Sequence, residues 1–521
     1  MADATPPAAP ADYPPLHGYM LLFLTAAIAT ASFMEILDMT IVNVSVPAIS
    51  GGLGVSASQG TWAVSSYMLA AAVMQPLTGW IGRRFGEVRT FVTSILLFML
   101  FSMVCGLATS LPMLVAARLM QGFVSGPMMS VAQAILLRNY PHERRGMAIA
   151  LWAMVIIIAP ICGPILGGWI TDNLSWPWLF YINLPVGAFS AISCWSILRN
   201  RESKRVKQPI DFVGLVLLVV GVGSLQYMLD NGNDKDWFGS PLILTAALVA
   251  FVSLTFFIAW ELTERHPVVD LHLFRIRNFA VGTGLVGAAY FGLSGVNVVF
   301  PLWLQTNVGY TATWAGLAVA PVGVLALVCA PIVGRNMNRL NLRLAVTFAF
   351  CVFGTAIYWT STLNPQASFM QFAAPRFLQG LGLSFFFLPL NQIMLAGLRP
   401  DELASASGLS NFIRTMMGSF ATAVTIWIWN SRTIYHHAVL AERISAAAGG
   451  WIAYRSALAS LGIRGMHAFG YVEHLITQQA MTLAINDVFY AIAVIYVVLI
   501  PFVWLAKPPF TTVAKRAPTS R

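Results

Sequence analysis

The sequence predicts an all-α integral membrane protein with fourteen transmembrane helices: two related six-helix bundles and two further helices linking them. Three observations predict it. The 521 residues are 58% hydrophobic and only 10% charged, with a mean hydropathy of +0.73. Apolar runs of about twenty residues, long enough to cross a bilayer as a helix, recur from end to end. The positive charge alternates from loop to loop, and short motifs return at a nearly constant offset.

The first eight runs lie near 19–46, 58–81, 89–109, 111–137, 146–170, 176–198, 210–229 and 241–262. The rest lie near 279–305, 311–334, 342–361, 369–396, 404–429 and 484–506. Residues 1–17 are Pro- and Ala-rich without Lys or Arg, which suits a disordered tail better than a signal peptide. The first six-helix bundle then covers 18–200, the linking pair 201–264 and the second bundle 265–510, with an outer-side loop at 431–483. Residues 511–521 form a closing tail.

Charge tests the count independently. With the amino terminus in the cytoplasm, even-numbered loops should collect Lys and Arg. Of the 30 basic residues, 22 fall in those loops and the closing tail, five fall on the opposite side, and Arg118, Arg376 and Arg414 lie inside spans. Both termini are therefore expected in the cytoplasm, and the net charge of +10 needs no nucleic acid to explain it. Cys105, Cys162, Cys194, Cys329 and Cys351 all sit in apolar runs without metal-type spacing, as small core residues do. No phosphate-binding Gly-rich loop is present, which argues against an ATP-driven pump. None of the eight histidines falls in a predicted span, so a polytopic membrane enzyme has little support.

Arg118-Leu119-Met120-Gln121-Gly122 of the fourth span returns as Arg376-Phe377-Leu378-Gln379-Gly380 of the twelfth. Gly82-Arg83-Arg84 has a fainter echo in Gly334-Arg335. Offsets of 258 and 252 residues agree with two related halves. Parallel halves are a known transporter plan, with the binding site near the midplane between them.

Chemistry concentrates in the first span, in Phe33-Met34-Glu35-Ile36-Leu37-Asp38-Met39-Thr40-Ile41-Val42-Asn43. Glu35 and Asp38, three apart, share a helix face. Carboxylates at membrane depth are costly unless paired, wetted or protonated, so they point to proton handling. Positions at the bilayer edge, or purely structural hydrogen bonds, are the alternatives. Arg118 cannot shed its proton and needs an acceptor or water within its span; a clamp on backbone carbonyls or on Asn43 is its structural alternative. Gly163, Pro164, Gly167 and Gly168 permit close helix packing and a bend. Asp211 and Glu261, near the ends of the linking spans, read as solvated interfacial charge.

Taken together these segments resemble the major facilitator superfamily, and within it the fourteen-span drug:proton antiporters of the EmrB/QacA type. The likeness runs from about Phe33 to Pro509. It is carried by Leu37 to Asn43, by Arg118 through Gly126, by Ala159 through Gly168, by Asn183-Leu184-Pro185-Val186-Gly187 and by Ala506-Lys507-Pro508-Pro509-Phe510. The resemblance implies a part in proton transfer for Arg118 beside Asp38 and Glu35, and a link to antiport for the Gly163–Gly168 segment. Gly79 to Arg89 resembles the superfamily's signature loop, with Gly79, Gly82, Arg84, Gly86 and Arg89 as gating candidates. Arg83 stands there where an Asp is usual, so an Asp-dependent latch does not carry over.

A cavity for bulky lipophilic molecules needs aromatic faces and a few polar anchors. Asn43, Trp62, Tyr67, Gln75, Gln121, Tyr290, Asn297, Trp303, Gln305, Asn391 and Arg414 are the candidates, against ordinary packing for each. The expected function is proton-coupled efflux of lipophilic toxic compounds from the bacterial inner membrane by alternating access. The proton gradient drives it, and no cofactor is expected. The resemblance also implies a periplasmic adaptor of the membrane-fusion type and an outer-membrane channel, with 431–483 helping to dock the adaptor. An exporter of a metabolite, fatty acid or siderophore is the alternative.

Overall fold

The computed structural model describes residues 13, 14, 16–141, 145–203, 205, 209–232, 235–264, 267–337, 339–398, 403–446, 458, 460 and 466–510. Residues 1–12 and 511–521, most of the two expected tails, lie outside that set, as does most of 447–465. Fourteen spans cross in sequence. Span 1 is Gly18–Ile41, continued by a 3-10 turn Val42–Val44 and a short helix Val46–Leu53. Span 2 comprises Ala57–Gly60, Trp62–Met74 and Thr78–Phe85. Span 3 is Glu87–Gly106. Span 4 is Leu111–Ser125 with Met128–Asn139, span 5 Arg145–Asn173, and span 6 Trp178–Tyr181 with Asn183–Leu198.

The linking pair is span 7, Phe212–Asn231, and span 8, Pro241–Glu261. Span 9 is Arg277–Trp303 with a π turn Leu304–Val308, and span 10 is Ala312–Val319 with Pro321–Asn336. Span 11 is Leu342–Thr360, span 12 Phe369–Leu395, span 13 Leu403–Ala446 and span 14 Met466–Val503. The interruptions have local causes. Pro76, Pro127 and Pro321 lack the N–H that would continue the helical ladder, and each stands at a break in spans 2, 4 and 10.

Eleven helices among the described residues are long and apolar enough to cross a membrane by composition alone. Spans 2, 5 and 13 complete the count. Span 2 is broken at Gln75, and span 13 carries Asn411, Arg414, Thr415, Ser419, Thr422 and Thr425.

Hydrogen bonds fix the parity. The Leu16 amide donates to the Asn139 carbonyl, and Arg201 donates to the Pro14 carbonyl. At the other end, Arg277 donates to the Leu505 carbonyl and Arg343 to that of Ala506. Both chain ends therefore lie with the even-numbered loops on one face, called here the terminal face. The opposite face carries the odd-numbered loops.

Spans 1–6 pack as one bundle and spans 9–14 as the other. They meet along two seams, span 5 against span 10 and span 2 against span 13. Span 7 reaches the bundles through spans 2 and 13, while span 8 turns Phe251 and Phe256 outward, 72% and 63% exposed. A polar face toward lipid would be penalised, so such apolar exposure is what a membrane environment requires.

Two expectations are corrected. The stretch 431–483 is not a loop over its described length: spans 13 and 14 continue as helices far beyond 404–429 and 484–506, and they pack on each other. Leu440 joins Ala468, Val472 and Ile476 in a small apolar core there, and His437 bonds Glu473 at 2.8 Å. Glu261 is fully buried rather than solvated, because the chain after span 8 folds back and brings the Val269 amide onto its carboxylate at 3.1 Å. Asp211 stays near the surface as the N-cap of span 7 and accepts from the Trp260 indole N–H.

Candidate functional site

Asp38, Arg118 and Gln121 are fully buried in the first bundle. One Nη1 of Arg118 donates to Asp38 Oδ2 at 2.5 Å and to Gln121 Oε1 at 2.9 Å, while Nε donates to the Ala63 carbonyl at 2.8 Å. Gln121 Nε2 donates to Asp38 Oδ1 at 3.3 Å, and Asn183 Nδ2 donates to the same oxygen at 2.8 Å. Asn183 also donates to Ser102 Oγ, whose hydroxyl donates to the Phe180 carbonyl. The Arg118 guanidinium lies 4.1 Å from the centroid of the Tyr67 ring. Spans 4 and 6 thus meet span 1 at one carboxylate, and spans 2 and 3 join the network through Ala63, Tyr67 and Ser102.

The local sequence builds this geometry. Arg118 and Gln121, three apart on span 4, reach the same oxygen pair. Gly122 lets span 4 approach span 2 so closely that a Cβ there would strike the Tyr67 carbonyl. A buried ion pair is stable only when its remaining lone pairs and protons find partners. Asn183 and Gln121 supply them for the carboxylate, and Ala63 and Gln121 for Nε and Nη1 of the guanidinium, while Nη2 is left without one. Protonating Asp38 would leave Arg118 as an uncompensated charge held on Ala63 and Gln121. The knot therefore has two electrostatic states separated by one proton.

Glu35, one helical turn earlier, is 8% exposed, and its Oε2 has no hydrogen-bond partner. It shares the helix face of Asp38 but does not join the pair. Asn43 falls in the 3-10 turn with an unpartnered Oδ1 and is not bonded to Arg118. Asn183 and Ser102 were not among the candidate site residues. The Asn183-Leu184-Pro185 motif held the signal, since an Asn inside an apolar span needs a polar partner.

The Gly163–Gly168 segment serves contact. Span 5 remains one helix through Pro160 and Pro164. A Cβ at Gly163 would strike Thr40 Oγ1, and one at Gly167 the Ile41 carbonyl, so both let span 5 lie against span 1. Gly168 does the same across the seam, against the Ala312 carbonyl, and Gly316 answers it against the Pro164 carbonyl. Asp172 then caps span 10, accepting from the amides of Ala312 at 3.2 Å and Thr313 at 2.7 Å. Gln305 donates to the Val44 carbonyl at 2.7 Å. The two bundles are closed on each other at the face opposite the termini.

In the signature loop, Gly79 and Gly82 lie on the last helix of span 2, and Gly86 turns the chain into span 3 at φ +95°. Glu202 fills the place beside Gly86 and accepts from the amides of Val88 and Arg89 at 3.0 Å each. Glu87 pairs with Arg138 at 3.1 Å. Arg84 makes no ion pair among the described residues, and the Arg89 guanidinium comes no nearer than 3.9 Å to Glu202. The described bonds of this loop close within the first half.

The cavity candidates separate into groups. Tyr67 and Gln121 belong to the Asp38 knot. Gln75 bonds Thr415 at 3.1 Å across the second seam. Trp303 is 1% exposed and packs edge-on against Phe372. Trp62 and Asn297 are half-buried. Asn391 and Arg414 line a cleft with Val286, Phe386, Asn411 and Ser410, and Tyr290 faces the Arg414 guanidinium at 5.4 Å.

Residues 28–422 match the family model described as Major Facilitator Superfamily. The chain is 46% identical over 497 residues to "Multidrug export protein EmrB" of Escherichia coli (strain K12), covering 95% of this chain and 97% of that protein. It is 43% identical over 499 residues to "Fatty acid resistance protein FarB" of Neisseria gonorrhoeae, covering 96% and 98%. Among solved structures, a bacterial homolog of the human lysosomal transporter Spinster superposes with a TM-score of 0.59 at 14% identity, covering 94% of this chain and 98% of that one. A likeness at that identity bears on the fold alone.

Proposed function

Since the chain belongs to the major facilitator superfamily, we propose that it is a proton-coupled exporter of lipophilic toxic compounds, a secondary transporter of the EmrB/QacA group and not an enzyme. The observation that carries this reading is the Asp38–Arg118 pair, a membrane-depth acid whose proton decides the charge balance of five spans. In the outward-open state a proton from outside neutralises Asp38 and favours the return inward. Loss of that proton to the cytoplasm restores the pair and favours cargo loading. The gradient suffices, at about 2.3 kcal/mol per charge per 100 mV and ~1.4 kcal/mol per pH unit. Glu35 holds a second carboxylate on the same helix face.

The excess of Lys and Arg on the terminal face supports an orientation with both termini in the cytoplasm of a bacterial inner membrane. The closed face is then the outer one, and Gly163, Pro164, Gly167 and Gly168 act as its contact surface. Gly79, Gly82, Arg84, Gly86 and Arg89 form the cytoplasmic counterpart that closes in the alternate state. Tyr290, Asn391 and Arg414 border the cargo path from the cytoplasmic side.

The helical extension of spans 13 and 14 beyond the membrane supports assembly with a periplasmic adaptor, and through it with an outer-membrane channel. Ile434, Tyr435, Phe469 and Tyr471 are exposed there. Removing 436–476 should abolish recovery of the adaptor; unchanged recovery counts against this docking. An exporter of fatty acids by the same mechanics is the second reading, favoured by Arg414, whose Nε is buried without a partner beside the cleft. One panel tests both readings: lipophilic cations, uncouplers and fatty acids added to inverted vesicles with pH-gradient quenching as readout. Cargo movement without proton movement would overturn the coupled mechanism.

A further inference from the structure

The linking pair carries an acid outside the knot described above. Asp230, in the last turn of span 7, sits where spans 2, 7 and 13 converge near the closed face. Ser65 Oγ of span 2 donates to Asp230 Oδ2 at 3.0 Å, and Gln226 Nε2, one turn back on span 7, donates to Oδ1 at 2.9 Å. Ser419 of span 13 closes the network, its hydroxyl lying 3.1 Å from Gln226 Oε1 and 2.8 Å from the Ser65 carbonyl. One carboxylate is therefore tied to the first bundle directly and to the second through Gln226 and Ser419.

No cation among the described residues accompanies it. Span 2 has no charged side chain between Trp62 and Gln75. Span 13 offers Arg414, which faces Tyr290, and Arg432, which bonds Asp487 at 2.6 Å. Lys235 in the turn after span 7 reaches the Tyr227 hydroxyl, and Asp236 is exposed. Both donors to Asp230 are neutral, unlike the guanidinium at Asp38.

The turn that follows is pinned to the same seam. Asp236 and Trp237 adopt φ +57° and +43°, a strained conformation for residues with side chains. Trp237 packs edge-on against Trp427 of span 13 at 5.1 Å. The end of span 7 thus straps the seam between spans 2 and 13.

We infer that Asp230 is a second proton-dependent positioning residue of the transport cycle, one that holds the outer ends of spans 2 and 13 together when protonated. Opening that seam removes Ser419 from the network and leaves the carboxylate to water, where it ionises. Closing the seam takes the carboxyl out of water with no cation beside it, which favours the neutral acid. Its O–H then donates to Ser65 Oγ, whose own hydrogen turns from Asp230 Oδ2 to the Trp62 carbonyl. Acid on the outer side therefore favours closure. Asp38 transfers the driving proton, and Asp230 reports outside pH to the seam. This inference rests on the orientation and alternating-access reading above.

The test uses the full chain in lipid nanodiscs, without its native cysteines and with spin labels at positions 55 and 434. Distance distributions between the labels are followed from about pH 5.5 to 8, where one linked proton changes the open-to-closed ratio by at most ~tenfold per pH unit. Asp38→Asn should retain a residual closure on acidification. Asp38→Asn with Asp230→Asn should be flat, and Asp38→Asn with Asp230→Glu should recover the slope. Ser419→Ala, which leaves the acid intact, should weaken the same residual response, an outcome that also serves if Asp230→Asn does not reach the membrane. A flat response in Asp38→Asn alone overturns the role of Asp230 while leaving the main mechanism standing. A full wild-type slope in both Asp38→Asn and the double variant overturns both.

Discussion

Arg118 and Arg376 occupy the same step of the two internal repeats, and both are buried completely or nearly so. Each donates from Nη1 to a Gln three residues on, Gln121 at 2.9 Å and Gln379 at 2.8 Å. Each stacks on an aromatic ring, Tyr67 at 4.1 Å and Phe300 at 4.0 Å. There the likeness ends. Arg118 faces Asp38 with Asn183 and Ser102 behind it and bonds the Ala63 carbonyl through Nε, whereas Arg376 has no acid among the described residues and leaves Nε without a partner; Nη2 is unpartnered in both. The shared Arg-Gln step is a means of fixing a span against its neighbours. Among the described residues only the first half sets an acid against it, so under the proposed mechanism only that half carries the coupling proton.

The largest expected effect follows directly. Asp38→Asn should abolish proton-coupled efflux in inverted vesicles while the protein remains in the membrane; full gradient-driven transport would remove Asp38 from the mechanism. Stability should divide the two arginines as well. Arg118→Leu strands the Asp38 carboxylate and should cost about 3–5 kcal/mol, whereas Arg376→Leu strands no acid and should change stability by no more than ~1 kcal/mol. Thermal unfolding in detergent reads both. Equal losses would show that the second guanidinium has a partner of equal weight.

Much of this contrast was legible in the sequence. Asp38 and Arg118 stood out because ionisable residues inside apolar runs are rare and need partners, and the repeat of Arg-x-x-Gln-Gly showed the two halves. What one sequence does not encode is which partner each charge meets. Glu35 and Asp38 share a face, yet only Asp38 reaches Arg118, because Asn183 and Gln121 arrive from spans distant in the chain. Asn43 looked equally polar but falls on a 3-10 turn away from the guanidinium. Glu261 looked interfacial because the fold-back of the following chain leaves no periodic signature. The 431–483 stretch read as a loop because its helices turn polar there, and polarity does not mark a helix end.

Building the missing acid would sharpen the comparison. Gln379→Glu sets a carboxylate at the position that already accepts from Arg376 and turns a charge-assisted bond into a full ion pair. Because a second buried charge must be desolvated, the second bundle should gain at most ~2 kcal/mol. The variant should not restore efflux to Asp38→Asn, since the second half lacks the counterpart of Asn183. Restored coupling would show that either half can serve as the proton site. Of similar size is the effect at the seam. Gly168→Val places a side chain against the Ala312 carbonyl and should disfavour closure of that face by about 1–3 kcal/mol. Faster labelling of a cysteine introduced at Thr313 would report the opening, and unchanged labelling would mean the backbone yields elsewhere.

The smallest effect belongs to Asp172, and it separates contact from charge at the same seam. Its carboxylate accepts the Ala312 and Thr313 amides at the start of span 10, joining a helix end of one half to a helix start of the other. Asp172→Asn keeps the shape and one acceptor oxygen but removes the charge that complements the exposed helix amides. The closed state should weaken by about 0.5–1 kcal/mol, a severalfold rise at most in labelling at Thr313. Asp172→Ala, which removes both acceptors, should exceed it. Should the two variants match, the charge carries the cap and the hydrogen bonds do not; should neither move labelling, the glycine contacts alone hold the two halves together at that face.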